Sequence, residues 1–224
     1  MPAEDLYPSR VGNVEQIIPR NDPVIYGNAL SSDEHTLSHS QLDSYSENGF
    51  IILPEYMPEM VAPLLDEISC LKKSMTNKDE LITEPDSQNI RSLFSPHKYS
   101  ALIDRFSRHP KILSIAKQLL GSDVYITQAR VNVKPAYRGR SFAWHSDFET
   151  WHVEDGMPRM RAVTAWIMLN DNNEFNGPLY VIPGSHKLFV CCSGSTDQKN
   201  YTRSLKLQQA GVPHTETMQQ ILNN

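Results

Sequence analysis

The chain reads as a β-rich α+β protein, with helices in its first half supporting a set of short strands of the β-sandwich or jelly-roll kind. Three observations predict this. Apolar residues recur at three-and-four spacing near 58–71 and again over 99–120, the mark of helices burying one stripe. From Asp123 onward short alternating runs take over, and Gly, Pro and Asn turns separate them. At 224 residues with 39% apolar content, the chain can bury one sizeable core and fits one domain better than two. The expected organisation is an N-terminal arm, residues 1–39, followed by the ordered domain, residues 40–224.

The arm is polar and broken by Pro2, Pro8, Pro19 and Pro23, so it is expected to be extended or loosely docked. His35 and His39 could share a helix face, but the Ser, Asp and Thr around them favour a solvated helix start. A helix is predicted from Ser40 to a stop at Gly49, then a strand Phe50–Leu53 ended by Pro54. The next helix runs from Pro58 and buries Val61, Leu64, Leu65, Ile68 and Leu71. Residues 77–95 are charged and lack periodicity, which predicts a long loop of the lid or binding type. Phe94, near its end, either lines a pocket or fills the core. The stretch Tyr99 to Leu120 reads as helix divided at Pro110 and finished by Gly121, with Leu102, Ile103, Phe106, Ile112, Ile115 and Leu119 as core and His97 and His109 as surface or capping residues.

The run 124–134 alternates as a strand that sends Gln128, Arg130, Asn132 and Lys134 to one face. That face meets either water or a polar pocket, and the residues alone leave both open. Beyond a turn at 135–139 comes FAWHSDFETWHVEDGMPRMR, Phe142 to Arg161, centred on His145 and Asp147. Two apart on a strand, an imidazole and a carboxylate point the same way and can converge on one cation. They would supply two of the three ligands of the two-His-one-carboxylate arrangement that non-haem iron oxygenases use. An HxD pair alone is a weak signal; here Trp144 and Phe148 bracket it, and Thr150, Trp151 and His152 follow closely. Strands at 162–169 and 179–182, joined by the turn 171–178, complete the pattern.

Charge and composition exclude several classes. A formal net charge of −5 gives no basic footprint for nucleic acid or an anionic membrane. No apolar run approaches the roughly 18 residues of a membrane span, and MPAEDLYPSR lacks a signal-peptide pattern, so a cytoplasmic protein is expected. Three cysteines, two of them adjacent at 191 and 192, make neither a disulfide framework nor a zinc spacing.

The run 142–161 resembles the signature of ectoine hydroxylases, iron(II)- and 2-oxoglutarate-dependent enzymes of the phytanoyl-CoA dioxygenase superfamily. The resemblance extends less densely from about Asp43 to Val190. It implies a double-stranded β-helix, a cupin-like jelly roll whose mouth holds Fe(II), and hydroxylation of ectoine to 5-hydroxyectoine, a compatible solute, with 2-oxoglutarate and O2 as co-substrates. It implies His145 and Asp147 as metal ligands, Gln128, Thr150 and Trp151 as contacts to ectoine, and Asn132, Lys134 and Phe142 as contacts to 2-oxoglutarate. The chemistry agrees, since a dicarboxylate wants a cation and amide donors, and an indole suits a delocalised amidinium-like ring. Trp151 as a plain core residue is the alternative. The partners implied are a small molecule, with no nucleic acid and no membrane, and the resemblance leaves room for a homodimer. The run Pro183-Gly184-Ser185-His186 places His186 in a turn. The family's third ligand is a histidine on a late apolar strand, followed by an arginine for 2-oxoglutarate, whereas the only later histidine here is His214, in a Gly/Pro break before a polar helical tail. The expectation is therefore that the C-terminal strands are missing, with His214 as a replacement ligand the lesser reading and the activity of this form open. The alternatives are a phytanoyl-CoA-type dioxygenase acting on another small metabolite, and an inactive jelly-roll remnant.

Overall fold

Capping chemistry sets most of the helix ends. The computed structural model describes residues 4–27, 33–75, 79–84, 89–133, 142–194 and 211–223. Helix α1 spans His39–Asn48. At its start the Ser38 hydroxyl accepts from the Gln41 amide and the Gln41 side chain accepts from the Ser38 amide, which satisfies two otherwise open donors. Gly49 ends it at φ 82°, and a Cβ there would collide with the His186 imidazole. After a single 3-10 turn at Pro58–Met60, α2 spans Val61–Ser74 and buries Leu64, Ile68 and Leu71. Helices α3, Ala101–Ser107, and α4, Pro110–Leu120, are the two halves of the predicted helix. Pro110 has no amide to continue α3 but suits the first position of α4, where the His109 ring accepts from the Lys111 amide as a cap.

The predicted loop 77–95 instead contains a hairpin. Strand β2, Leu81–Thr83, pairs antiparallel with β3, Ile90–Phe94, which pairs in turn with β4, Arg130–Asn132. Residues 91–93 of β3 are all buried, so the alternation that betrays a half-exposed strand is missing from its sequence. Phe94 is half-buried and faces Arg130 across the ladder.

A second sheet joins β1, Gln16–Pro19, to β5, Leu188–Cys191, in the register Ile17↔Val190 and Ile18↔Phe189. Much of the expected arm is thus docked, though residues 11–14 stay exposed. Tyr7 is fully buried, edge-on to Phe148 and Phe189 at 5.2 and 5.1 Å between ring centres, and its hydroxyl donates to Asp22 at 2.7 Å. Prolines interrupt regular structure without preventing such docking, because aromatic burial and side-chain hydrogen bonds need no repeating backbone. The last helices are α5, Asp147–Asp155, and α6, Thr215–Leu222.

The predicted strands at 50–53, 124–129, 162–169 and 179–182 carry no ladder among the described residues. A strand needs a neighbour presenting amides and carbonyls, and a side-chain pattern does not specify that neighbour. The expected jelly roll is represented among the described residues by one two-stranded and one three-stranded antiparallel sheet. Among the described residues apolar contacts form three clusters: α2, β3 and α3 around Leu64, Leu93 and Phe106; Tyr7, Phe148, Met160 and Phe189; and Leu37, Leu42 and Leu119. Among the described residues no helix is long and apolar enough to cross a membrane.

Candidate active site

His145 and Asp147 lie not on a strand, as predicted, but at the start of α5, with Asp147 its first residue and extended Ser146 (φ −105°, ψ 124°) before it. Asp147 and Glu149 in the first turn favour helix because its exposed amides carry partial positive charge there, and Gly156 at φ 71° ends it. The two side chains nevertheless converge, His145 Nε2 to Asp147 Oδ1 at 3.3 Å. His145 Nδ1 sits 2.7 Å from the Ala143 carbonyl. A carbonyl only accepts, so Nδ1 carries the hydrogen and Nε2 is the nitrogen turned toward the carboxylate. This is the tautomer and orientation that a ligating histidine needs.

The local charges reinforce the pair. The hydrogen bond to Asp147 raises the His145 pKa above its ordinary 6.5 against the opposing effect of burial. Burial pushes Asp147 up, but the His145 hydrogen bond and the charges of His145 and Arg130 outweigh it and bring the carboxyl below 3.8. Burial lowers the Arg130 pKa, with Asp147 opposing and Arg91 adding to that effect.

Helical periodicity then decides which neighbours join. Asp147, Thr150 and Trp151 stand at i, i+3 and i+4, so they share a face, while Phe148, Glu149 and His152 turn away from it. The Thr150 hydroxyl is buried without a hydrogen-bond partner among the described residues, as a group reserved for a ligand would be. Phe142 is half-buried, with the Arg91 guanidinium 4.3 Å and the Arg130 guanidinium 5.9 Å from its ring centre. Asn132 accepts from the Ser92 hydroxyl at 3.0 Å. Gln128 is exposed, just ahead of β4. Lys134 lies outside the described residues.

Two cations escape the sequence reading as site residues. Arg130 is placed on the polar face of its strand without a role, and Arg91 falls inside the predicted loop. Arg91 is 4% exposed, bonds Glu84 through Nη1 at 3.2 Å, and leaves a buried Nη2 without a partner among the described residues. The signal for it is a basic residue inside the run Ile90-Arg91-Ser92-Leu93-Phe94, since a charge is buried at such a place only with a partner or a task.

The other histidines stand elsewhere. His152 bridges the Met157 carbonyl at 2.7 Å and Asp5 at 3.0 Å. His186, in its turn, donates from Nε2 to the Ser46 carbonyl at 3.0 Å and so docks on the end of α1. His214 precedes α6, its amide donating to Glu15 at 2.9 Å. Among the described residues no group of three His, Cys, Asp or Glu side chains could hold a metal, so neither His186 nor His214 completes the pair. The pair itself fits a ferrous ion in donor type and tautomer, and the neighbouring guanidinium groups suit an anionic co-substrate.

Comparison with known proteins adds the family. Residues 45–220 match phytanoyl-CoA dioxygenase (PhyH). An ectoine dioxygenase of Bordetella bronchiseptica is 46% identical over 221 residues, 97% of this chain and 71% of that protein. One from Halomonas elongata is 40% identical over 227 residues, 99% of this chain and 68% of that protein. The fold superposes on crystal structures of EctD from S. alaskensis, with TM-score 0.83 for the form with 2-oxoglutarate and 5-hydroxyectoine (36% identity, 98% of this chain, 72% of that one) and 0.82 for the form with bound Fe (36% identity, 98% and 73%). Sequence and fold agree, and the chain belongs to the phytanoyl-CoA dioxygenase family.

Proposed function

We infer that this protein hydroxylates ectoine to 5-hydroxyectoine in a reaction that needs Fe(II), 2-oxoglutarate and O2. The observation that carries the reading is the His145–Asp147 pair at 3.3 Å with Thr150 and Trp151 one helical turn along the same face, in a chain whose relatives are ectoine dioxygenases. A ferrous ion bound here would supply the oxygen-activating chemistry, with 2-oxoglutarate as the source of electrons. His145 Nε2 and an Asp147 oxygen hold the metal. Arg91, Arg130, Asn132 and Phe142 form the side that takes the dicarboxylate, cations and amide against its charge and the ring against its methylenes, and Lys134, by the family resemblance, is a further contact to it. Gln128, Thr150 and Trp151 meet ectoine, the indole facing the delocalised positive charge of the ring and the threonine hydroxyl gaining the partner it lacks within the protein. The proposed setting is the cytoplasm, where three free thiols at Cys70, Cys191 and Cys192 stay reduced.

The test is succinate and 5-hydroxyectoine formation by purified protein given Fe(II), 2-oxoglutarate and ectoine under air. Both products should appear together, His145→Ala should abolish them, and His35→Ala should leave them intact. Full turnover in the His145 variant, or succinate formed equally well without ectoine but with another small metabolite, overturns the assignment.

A further inference from the structure

The N-terminal segment is fastened to α5 by a buried ion pair. Arg10 donates twice to Glu149, Nε to Oε1 at 2.9 Å and Nη2 to Oε2 at 2.7 Å, and its Nη1 reaches Glu154 at 3.0 Å. Ser9 Oγ donates to Glu149 at 2.8 Å while accepting from the Cys192 amide at 3.0 Å, and the Arg10 amide donates to the Cys192 carbonyl at 2.8 Å. The Arg10 and Glu149 side chains are 7% and 1% exposed. Gly211, at φ 73°, closes over them: a Cβ there would collide with Glu149 Oε2 and come within 2.8 Å of Arg10 Nη2. Two segments remote in sequence, 9–10 and 211, therefore meet on one carboxylate of α5, and Cys192 holds the first of them in place.

That carboxylate follows Asp147 by two residues, about 200° around the helix. It projects away from the face that carries Asp147, Thr150 and Trp151. A buried charge pair is a poor way to fill a core, because desolvation cancels much of its attraction. What the two-pronged fork supplies instead is direction, since parallel N–H···O bonds fix rotation and sliding more tightly than apolar contact does. We propose that Arg10 and Glu149 are positioning residues for the metal pair: their fork fixes the rotation of α5 and thereby the direction in which Asp147, Thr150 and Trp151 point. The proposal rests on the reading of His145 and Asp147 as metal ligands.

The experiment measures Co(II) affinity, with Co(II) standing for the ferrous ion, and amide hydrogen exchange in the full chain. The double variant Arg10→Met/Glu149→Leu removes both charges while keeping volume, and Arg10→Lys keeps the charge without the fork. Leu64→Ala, in the separate cluster around α2, is the control for general loss of stability. The double variant should bind Co(II) about tenfold more weakly than the wild type, with faster exchange over residues 147–155 and unchanged exchange in α2. Arg10→Lys should fall between them and carries the test should the double variant not fold. Leu64→Ala should keep wild-type Co(II) affinity. Co(II) binding within about twofold of wild type and unchanged exchange in α5 would overturn the proposal, as would an equal loss of affinity in Leu64→Ala. A wild-type chain that binds no Co(II) would remove the ligand reading alone, and the exchange of α5 against α2 then decides the positioning role.

Discussion

On the proposed reading of His145 as a ligand, a metal ion and a proton compete for one lone pair. Nδ1–H is committed to the Ala143 carbonyl, so Nε2 must be bare to bind a metal, and the adjacent carboxylate holds a proton there above the ordinary value of 6.5. Metal affinity should therefore rise by up to about tenfold per pH unit through the region above 6.5 and level off once the raised value is passed, with one proton released per metal on the acid side. Co(II) titrations from pH 6 to 9 check this, and flat affinity across that range contradicts it. Without metal the sign reverses. The raised His145 contributes stability below 6.5 that is lost as pH climbs through its folded value, and the lowered Asp147 contributes stability above 3.8 that is lost as pH falls, so the pair steadies the metal-free fold most between those values. For Trp151→Ala, ectoine use should weaken far more than 2-oxoglutarate binding, read as separate KM values; equal losses would make the indole a packing residue. The convergence of His145 and Asp147 was legible in sequence because side chains at so short a spacing can meet on one face, and few residue types there could hold a metal. Arg91 was not, because its task depends on Glu84 and Phe142, which no spacing rule joins to it.

Among the elements, α5 shows what a local pattern can and cannot tell. Gly156 marks its end and acidic residues fill its first turn, yet the HxD spacing reads as strand because side chains two apart converge most simply there. In the folded chain the convergence comes from the extended residue ahead of Asp147, and the helix puts Thr150 and Trp151 beside it instead. Its opposite side is anchored by Phe148, which packs on Tyr7 at 5.2 Å and Phe189 at 5.8 Å. Phe148→Ala should lower stability by about 3–5 kcal/mol in urea unfolding. A change under about 1 kcal/mol would mean that α5 is not held by this cluster. The stripes of α2, α3 and α4 were readable because each helix buries one face, whereas β2 and β3 were not, β2 being only three residues long and β3 buried on both sides at its centre.

At the scale of the molecule, the division into supporting helices and a β-rich part was visible in composition and periodicity. Strand pairing was not, because partners distant in sequence leave no local trace. Thus the β1–β5 sheet binds a segment that reads as a loose arm, and 162–169 and 179–182 read as strands but have no ladder among the described residues. In those two segments Trp166, Ile167 and Met168 are 44, 43 and 44% exposed and Leu179, Tyr180 and Val181 are 41, 63 and 46% exposed. Such a surface should bind the dye ANS and promote self-association in this chain, and Ile167→Lys should reduce both without shifting the melting temperature of the helices. Dye binding unaltered by that change would place the apolar surface elsewhere.

The same β1–β5 ladder also orders events during synthesis. Strand β1 leaves the ribosome well ahead of its partner, residues 188–191, so at roughly 5–20 residues per second the first strand waits on the order of ten to thirty seconds for its mate. By the end of that interval α2, α3 and α4 have emerged and can pack on one another, while Arg10 has no completed scaffold from which to grip Glu149. A nascent chain arrested before residue 188 would carry Asp147 on a helix still free to turn, with His145 just ahead of it. On the proposed reading of His145 and Asp147 as ligands, the site is therefore not held in place until residues 188–191 have been made.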